Sequence, residues 1–216
     1  MIGSEQVSLA IPTGALLSGS LSLLAHSRLA RLNAKELGRQ LLVQHGGLRV
    51  ILVRPSDVPA YVDHGAADLG IVGKDILWET PGSHYELVDL RFGACRLVLA
   101  VPSSSSLDGP QTWPPLIRVA TKYPRTASEW FESRGQAVEI VRLHGSVELA
   151  PQVGLVDGIV DLTATGRTLR ENGLRIAAVL GSSTARLIAN QASLKTRTAA
   201  VQTIVSKLRE ASGRAG

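Results

Sequence analysis

Short apolar runs of strand length alternate with helix-like stretches, and this alternation runs through the chain twice. That repeat narrows the possible folds more than any other feature. In the first half, Val7–Ile11 reads as a strand broken by Pro12-Thr13-Gly14. Leu16, Leu17, Leu21, Leu24 and Leu32 then recur near helical spacing. Leu48–Val53 reads as a buried strand. Ser56 suits the cap of a following helix with Pro59 in its first turn, and Gly65 suits its end. Asp68–Val72 is the next strand, and Gly73 opens a short helical segment through Trp78.

Leu87–Leu90 leads into the apolar strand Cys95–Val101. The Ser- and Pro-rich stretch from Pro102 to Pro115 reads as a surface loop. The rhythm then restarts. Ile117–Thr121, Val138–Val141, Gly158–Leu162 and Ile176–Leu180 are predicted strands. A helix is predicted from Arg125 to Arg134, ending at Gly135. Ser146 suits the cap of a short helix around Val147–Ala150, a further helix starts at Thr168, and a last one spans about Leu194–Leu208. The expected architecture is α/β with mainly parallel sheets, in two lobes around a central cleft. Lobe I takes residues 1–94 plus about 181–216, and lobe II takes 95–180. A single continuous Rossmann-like sheet is the competitor. No GxGxxG follows the first strand, which counts against a dinucleotide site.

Hydrophobic residues make up 44% of the 216 residues and charged residues 19%, the balance of a chain that folds around a core. The net charge of +5 suits nucleic acid or small anionic substrates. The basic residues are scattered without interleaved aromatics, and Trp78, Trp113 and Trp130 are too dispersed in sequence for a stacking platform, so nucleic acid is not expected as a partner. The lone Cys95 excludes an intrachain disulfide, and its strand pattern suggests a small buried hydrophobe. No secretion-signal pattern opens the chain and no run of about 18 apolar residues exists, so a cytoplasmic protein without a membrane span is expected. The five histidines show no ligand spacing.

Three stretches carry polar chemistry. The first is Asp161-Leu162-Thr163-Ala164-Thr165-Gly166-Arg167-Thr168, where an apolar strand runs through small and hydroxyl residues into a helix start. Phosphate oxygens need several converging N–H and O–H donors without side-chain bulk, and such a turn supplies them. Arg167 adds a cation, and Asp161 suits ribose hydroxyls or the hydration shell of Mg²⁺. An ordinary strand–turn–helix with a Thr cap has the same pattern. The second stretch, His144–Pro151, holds Glu148 at a helix start, where a carboxylate is favoured by the helix dipole or faces a sugar. The third runs from Arg54 to Asp75. Its Gly73 permits close approach of a ligand or a tight turn, while Lys74 and Asp75, like Lys122, suit either a ligand site or capping and surface roles.

Taken in order, Arg54–Tyr61, Ala66–Asp75, Arg118–Pro124, Gly145–Pro151, Asp161–Leu169 and Ser182–Asn190 resemble the ATP phosphoribosyltransferases of histidine biosynthesis, over about Ser8 to Lys207. The resemblance implies a periplasmic-binding-protein-like fold. It implies transfer of the phosphoribosyl group of phosphoribosyl pyrophosphate to N1 of ATP, with Mg²⁺ accompanying the substrate rather than held directly by protein ligands. The chain resembles the short form of the family, which works with a histidyl-tRNA-synthetase-like regulatory subunit as a hetero-octamer. By the same resemblance, Asp161, Thr163, Ala164, Thr165, Gly166, Arg167 and Thr168 hold the sugar phosphate. Glu148 faces the ribose, Arg39 contacts the pyrophosphate, and Gly14, Gly73, Lys74 and Asp75 are candidates for the ATP side. The family's first turn often reads Pro-Lys-Gly-Arg, whereas this chain has Pro12-Thr13-Gly14-Ala15. Arg39 is therefore expected to carry more of the leaving-group stabilisation. The alternative function is a non-enzymatic two-lobed ligand-binding protein, since fold does not fix function.

Overall fold

The structure is a computed structural model that describes residues 6–33, 40–107 and 109–213. The chain divides into two compact units. One takes the chain up to Gly93 and again from Thr184, and the other takes Ala94–Ser183. Each is an α/β unit built on its own sheet.

The first unit is built on a six-stranded sheet. Its strands are β1 (Val7–Pro12), β2 (Leu42–His45), β3 (Leu48–Val53), β4 (Leu69–Gly73), β5 (Tyr85–Asp89) and β11 (Ala185–Ala189), in the spatial order β2-β3-β1-β4-β11-β5. Strand side chains alternate between faces, and both faces of this sheet are covered. Leu9 and Ile11 of β1, Leu69 and Ile71 of β4 and Leu187 of β11 pack into one core with α1 (Leu17–His26) and the C-terminal helix. Ala10, Val72 and Ile188, the alternate residues, pack on the other side with α2 (Val58–Asp63). Each fully buried Leu or Ile contributes roughly 1.5–3 kcal/mol. Gly70 faces α2, where an added Cβ would lie 2.7 Å from Val58 and 2.8 Å from Val62, so its missing side chain sets how closely the helix sits.

The second unit has the sheet order β10-β6-β9-β7-β8. The strands are β6 (Cys95–Pro102), β7 (Leu116–Thr121), β8 (Ala137–Arg142), β9 (Gly158–Thr163) and β10 (Leu174–Ser183). Val98, Ala100, Ala120 and Ile159 form the core of one face with Val147, Ala150, Leu169 and Leu174.

Several expectations are corrected. The sheets are mixed rather than mainly parallel: β3-β1-β4 and β9-β7-β8 are parallel, while β2, β5, β6, β10 and β11 pair antiparallel. Strand β10 passes into β11 through the single residue Thr184, and each joins a different sheet as a returning strand. The last helix is two helices, α6 (Gln191–Thr196) and α7 (Thr198–Gly213), separated at Arg197. Ser56 does not cap α2. Its hydroxyl bonds to the Asp57 carboxylate at 3.0 Å, and a 3-10 turn, Pro55–Asp57, precedes the helix. Cys95 is half-buried at the start of β6 rather than enclosed. Trp113 and Trp130 do meet, with ring centroids 5.9 Å apart, packed with Phe131 and covered by the Arg134 guanidinium.

Asp68 ties the first unit together at the start of β4. Its carboxylate accepts from the Ser8 amide and hydroxyl (both 2.7 Å), from the Ser193 hydroxyl (2.6 Å) and from Arg197 Nη1. Burial pushes this carboxyl up, but the hydrogen bonds from Ser193 and Ser8 and the Arg197 charge outweigh it, and the group lies below its ordinary value. The break between α6 and α7 falls at the residue that reaches this carboxylate.

Candidate active site

The parallel strands β7, β8 and β9 end at one edge of the second sheet, and the polar residues gather there. Side chains on open α/β sheets converge at such carboxyl ends. In β9, Ile159, Asp161 and Thr163 share a face because strand side chains alternate. All three line a cavity of about 340 Å³. Its remaining wall comes from Leu162 of β9, from Ala164, Thr165, Arg167, Thr168 and Leu169 in the turn and helix that follow, and from Glu148.

The turn is shaped by its own hydroxyls. Thr163 Oγ1 accepts from the Gly166 amide at 2.8 Å. Gly166 has φ +73°, a left-handed conformation that suits glycine, and it starts the one-turn helix α5 (Arg167–Glu171). Arg170 Nη1 donates to the Thr165 carbonyl at 3.2 Å, closing the loop from outside. Leu169 is buried in the core beneath, so the turn rests on apolar packing.

Glu148 arrives from the segment after β8. It sits in a 3-10 turn, Val147–Leu149, anchored by the buried Val147. Ser146 caps this turn through its carbonyl, not its hydroxyl, and adopts a left-handed φ of 48°. Lys122 follows β7. The buried Thr121 hydroxyl donates to the Val160 carbonyl at 2.6 Å and accepts from the Tyr123 amide at 2.9 Å, which fixes the end of β7 against β9. Lys122 Nζ then stands 3.5 Å from Asp161 Oδ1.

Asp161 is the unusual group. Its Oδ1 is buried and has no hydrogen-bond partner among the described residues. Burial pushes the carboxyl up, Lys122 and the Leu162 amide pull it down, and Glu148 adds to the upward push. The net position is above the ordinary carboxylate value. A carboxylate that is 21% exposed in the wall of a cavity suits a hydroxyl-bearing ligand.

The other sequence candidates belong to the first unit, or lie outside the description. Gly14, just after β1, needs its φ of +77° and has open space around it. Gly73 has ordinary extended backbone and opens α3 (Lys74–Glu79). A Cβ there would run into the Asp75 carboxylate, so the space that its missing side chain leaves is taken by Asp75, itself buried. Lys74 is ion-paired with Glu86. Arg186 joins that group, 3.0 Å from Asp89 and 3.6 Å from Glu86. Arg39 lies outside the described residues. The role of Lys122 beside Asp161 was open in sequence because thirty-nine positions separate them. Its only signal was its place directly after a predicted strand.

The family model described as HisG, ATP phosphoribosyltransferase, matches residues 54–210. An ATP phosphoribosyltransferase of Rubrobacter xylanophilus is 48% identical over 202 residues, covering 93% of this chain and 94% of its own. Among solved structures, a chain of the ATP phosphoribosyl transferase (HisG:HisZ) complex from Thermotoga maritima is similar, with a TM-score of 0.80 and 34% identity. That match covers 97% of this chain and all (100%) of that one. The periplasmic aliphatic sulphonate binding protein SsuA from Escherichia coli shares the fold alone: TM-score 0.64, 13% identity, 97% of this chain and 69% of that one. No helix among the described residues is long and apolar enough to cross a membrane. With near-full-length identity of this order, and the polar loop and its carboxylates gathered at one sheet edge, the chain belongs to the HisG family of ATP phosphoribosyltransferases.

Proposed function

We propose that the cavity at the end of β9 is where this ATP phosphoribosyltransferase holds phosphoribosyl pyrophosphate. The family's activity, the first step of histidine biosynthesis, transfers the phosphoribosyl group to N1 of ATP and releases pyrophosphate. The observation that carries the site reading is the joint lining of one cavity by Asp161, Glu148 and the Thr163–Thr168 turn.

In this reading the turn holds the sugar's 5′-phosphate. The Arg167 amide that opens α5 has no acceptor within the helix, as at every helix start, and donates to Thr165 Oγ1 at 3.4 Å. Thr165, Thr168 and Arg167 add hydroxyls and a cation to the same wall. The Asp161 carboxylate accepts a ribose hydroxyl, and Glu148 lines the same cavity beside the sugar. Adenine N1 already carries a lone pair, so the reaction needs alignment more than a strong base. As the bond from C1 to pyrophosphate breaks, the sugar gains positive charge, and the two carboxylates stabilise it electrostatically.

Mg²⁺ belongs to this reading as an ion carried by the substrate's phosphates. Among the described residues, no group of three or more His, Cys, Asp or Glu side chains is arranged to hold a metal. Arg39 is assigned to the departing pyrophosphate. Gly14, just after β1, and Gly73–Asp75, where β4 passes into α3, are assigned to ATP; β1 and β4 are parallel neighbours.

A regulatory partner also belongs to the proposal. The Thermotoga maritima chain comes from a HisG:HisZ complex. We extend that assembly to this chain, with a histidyl-tRNA-synthetase-like subunit in a hetero-octamer that carries histidine feedback. The experiment is direct. The chain is incubated with ATP, phosphoribosyl pyrophosphate and Mg²⁺, with and without such a subunit. A rise in near-ultraviolet absorbance from phosphoribosyl-ATP, enhanced by the subunit, supports the proposal. No product under either condition contradicts it.

A further inference from the structure

We propose that Lys122 is a positioning residue for the transfer: its ammonium keeps the Asp161 carboxylate charged and turned as a hydroxyl acceptor toward the sugar. This rests on the reading of the β9 cavity as the phosphoribosyl site.

The sheet fixes where the two residues stand. Lys122 directly follows β7, and β7 pairs in parallel with β9, Thr121 opposite Val160. The Thr121 hydroxyl bonds the Val160 carbonyl at 2.6 Å, so the backbones just before Lys122 and Asp161 are joined by a buried hydrogen bond. Lys122 Nζ, 3.5 Å from Asp161 Oδ1, is therefore delivered by a sheet rather than by a free loop. The ammonium also lies 5.6 Å from the centroid of the Tyr123 ring, a second attraction that restrains the long side chain.

Asp161 needs such a partner. Its side chain is 21% exposed, and its buried Oδ1 has Lys122 Nζ as its neighbour at 3.5 Å. Glu148 on the same cavity wall opposes its charge. On the side of β6 the residue opposite is Val98, which carries no charge. Arg167 lines the same cavity from α5, but Lys122 is the cation within ion-pair distance of the carboxylate among the described residues. A neutral Asp161 would present a hydroxyl where the sugar needs an acceptor, and would leave the developing positive charge without its nearest counter-charge. Lys122 itself does not line the cavity, so it acts through Asp161.

The test compares wild type, Lys122→Met and Lys122→Arg, each as the full chain with its regulatory subunit, ATP, phosphoribosyl pyrophosphate and Mg²⁺. Initial rates are measured across pH. Lys122→Met is expected to move the acid limb of kcat/KM for phosphoribosyl pyrophosphate upward by about one pH unit or more, the effect of losing a nearby opposite charge. KM for ATP should stay within about twofold, because the residue faces the sugar side of the reaction. Lys122→Arg should bring the acid limb back toward wild type. A uniform loss at every pH with the limb unmoved, or an unchanged profile, overturns the proposal. Carbon-13 titration of the Asp161 carboxyl in the full chain gives the same answer without activity: its midpoint should rise in Lys122→Met, and an unmoved midpoint contradicts the proposal. Binding of phosphoribosyl pyrophosphate to Asp161→Asn separates the two readings. If that binding is weakened while Lys122→Met behaves as wild type, the cavity assignment stands and the role of Lys122 falls.

Discussion

The Thr163 hydroxyl accepts a hydrogen bond from the Gly166 amide at 2.8 Å, so the turn that follows β9 is held from within. Thr163→Val keeps the shape of the side chain and removes the acceptor. One lost hydrogen bond is worth about 1 kcal/mol. The variant should bind phosphoribosyl pyrophosphate roughly fivefold more weakly by calorimetry, while Thr163→Ser should bind as wild type.

Asp161→Asn should separate stability from activity. The Asp161 carboxyl lies above its ordinary value in the folded chain, because burial disfavours its charge. The folded state then holds the proton more tightly than the unfolded state, and stability falls as pH rises from the unfolded value through the folded one. At neutral pH the charge works against the fold. The amide should leave the thermal midpoint equal to wild type or higher, while kcat/KM for phosphoribosyl pyrophosphate drops on the order of 10²-fold. Differential scanning calorimetry beside the rate assay reads both.

Asp68 should behave in the opposite way. Its carboxyl lies below its ordinary value of 3.8, held by Ser193, Ser8 and Arg197 against the push of burial. Its contribution is complete above the unfolded value and is lost as pH falls through the lower folded one. Asp68→Ala leaves the Ser8 and Ser193 donors without their acceptor and the half-exposed Arg197 without its partner. It should cost about 3 kcal/mol, the low end for breaking a buried pair. Urea unfolding of wild type should show a stability loss below about pH 4 that is smaller in the variant.

Arg39 tests the pyrophosphate end. Thr13 and Ala15 bring no cation to the turn after β1, and Arg39→Ala is expected to lower kcat on the order of 10²-fold, the effect of removing one charge donor from the leaving group. An unchanged kcat would remove Arg39 from the leaving-group role.

The parallel strands and the small-residue turn after β9 are readable from local pattern. An apolar run ending at Asp161, followed by Thr163, Thr165 and Gly166, signals a strand meeting a small-residue turn whatever surrounds it. The antiparallel strands were not readable in the same way. β2 is a four-residue edge strand with mostly exposed residues, so it lacks the apolar alternation that marks a buried strand. β11 follows β10 after one residue, and only the hydrogen-bonding partners of each reveal that they are separate strands in different sheets. The break at Arg197 comes from a contact with Asp68, 129 residues away, that no helical periodicity encodes. Trp113 and Trp130 meet for the same reason, through tertiary packing between a loop and α4 (Pro124–Glu132). The pairing of Lys122 with Asp161 is likewise a product of strand order, visible only once β7 is known to lie beside β9.

Backbone amide resonances followed during titration with phosphoribosyl pyrophosphate and Mg²⁺ decide whether the turn after β9 holds the sugar phosphate. Saturable shifts are expected at Thr163–Thr168 and at Glu148, weakened in Thr163→Val. Saturable binding that leaves those amides unmoved, with the shifts falling instead around Gly14 and Gly73–Asp75, would contradict that placement.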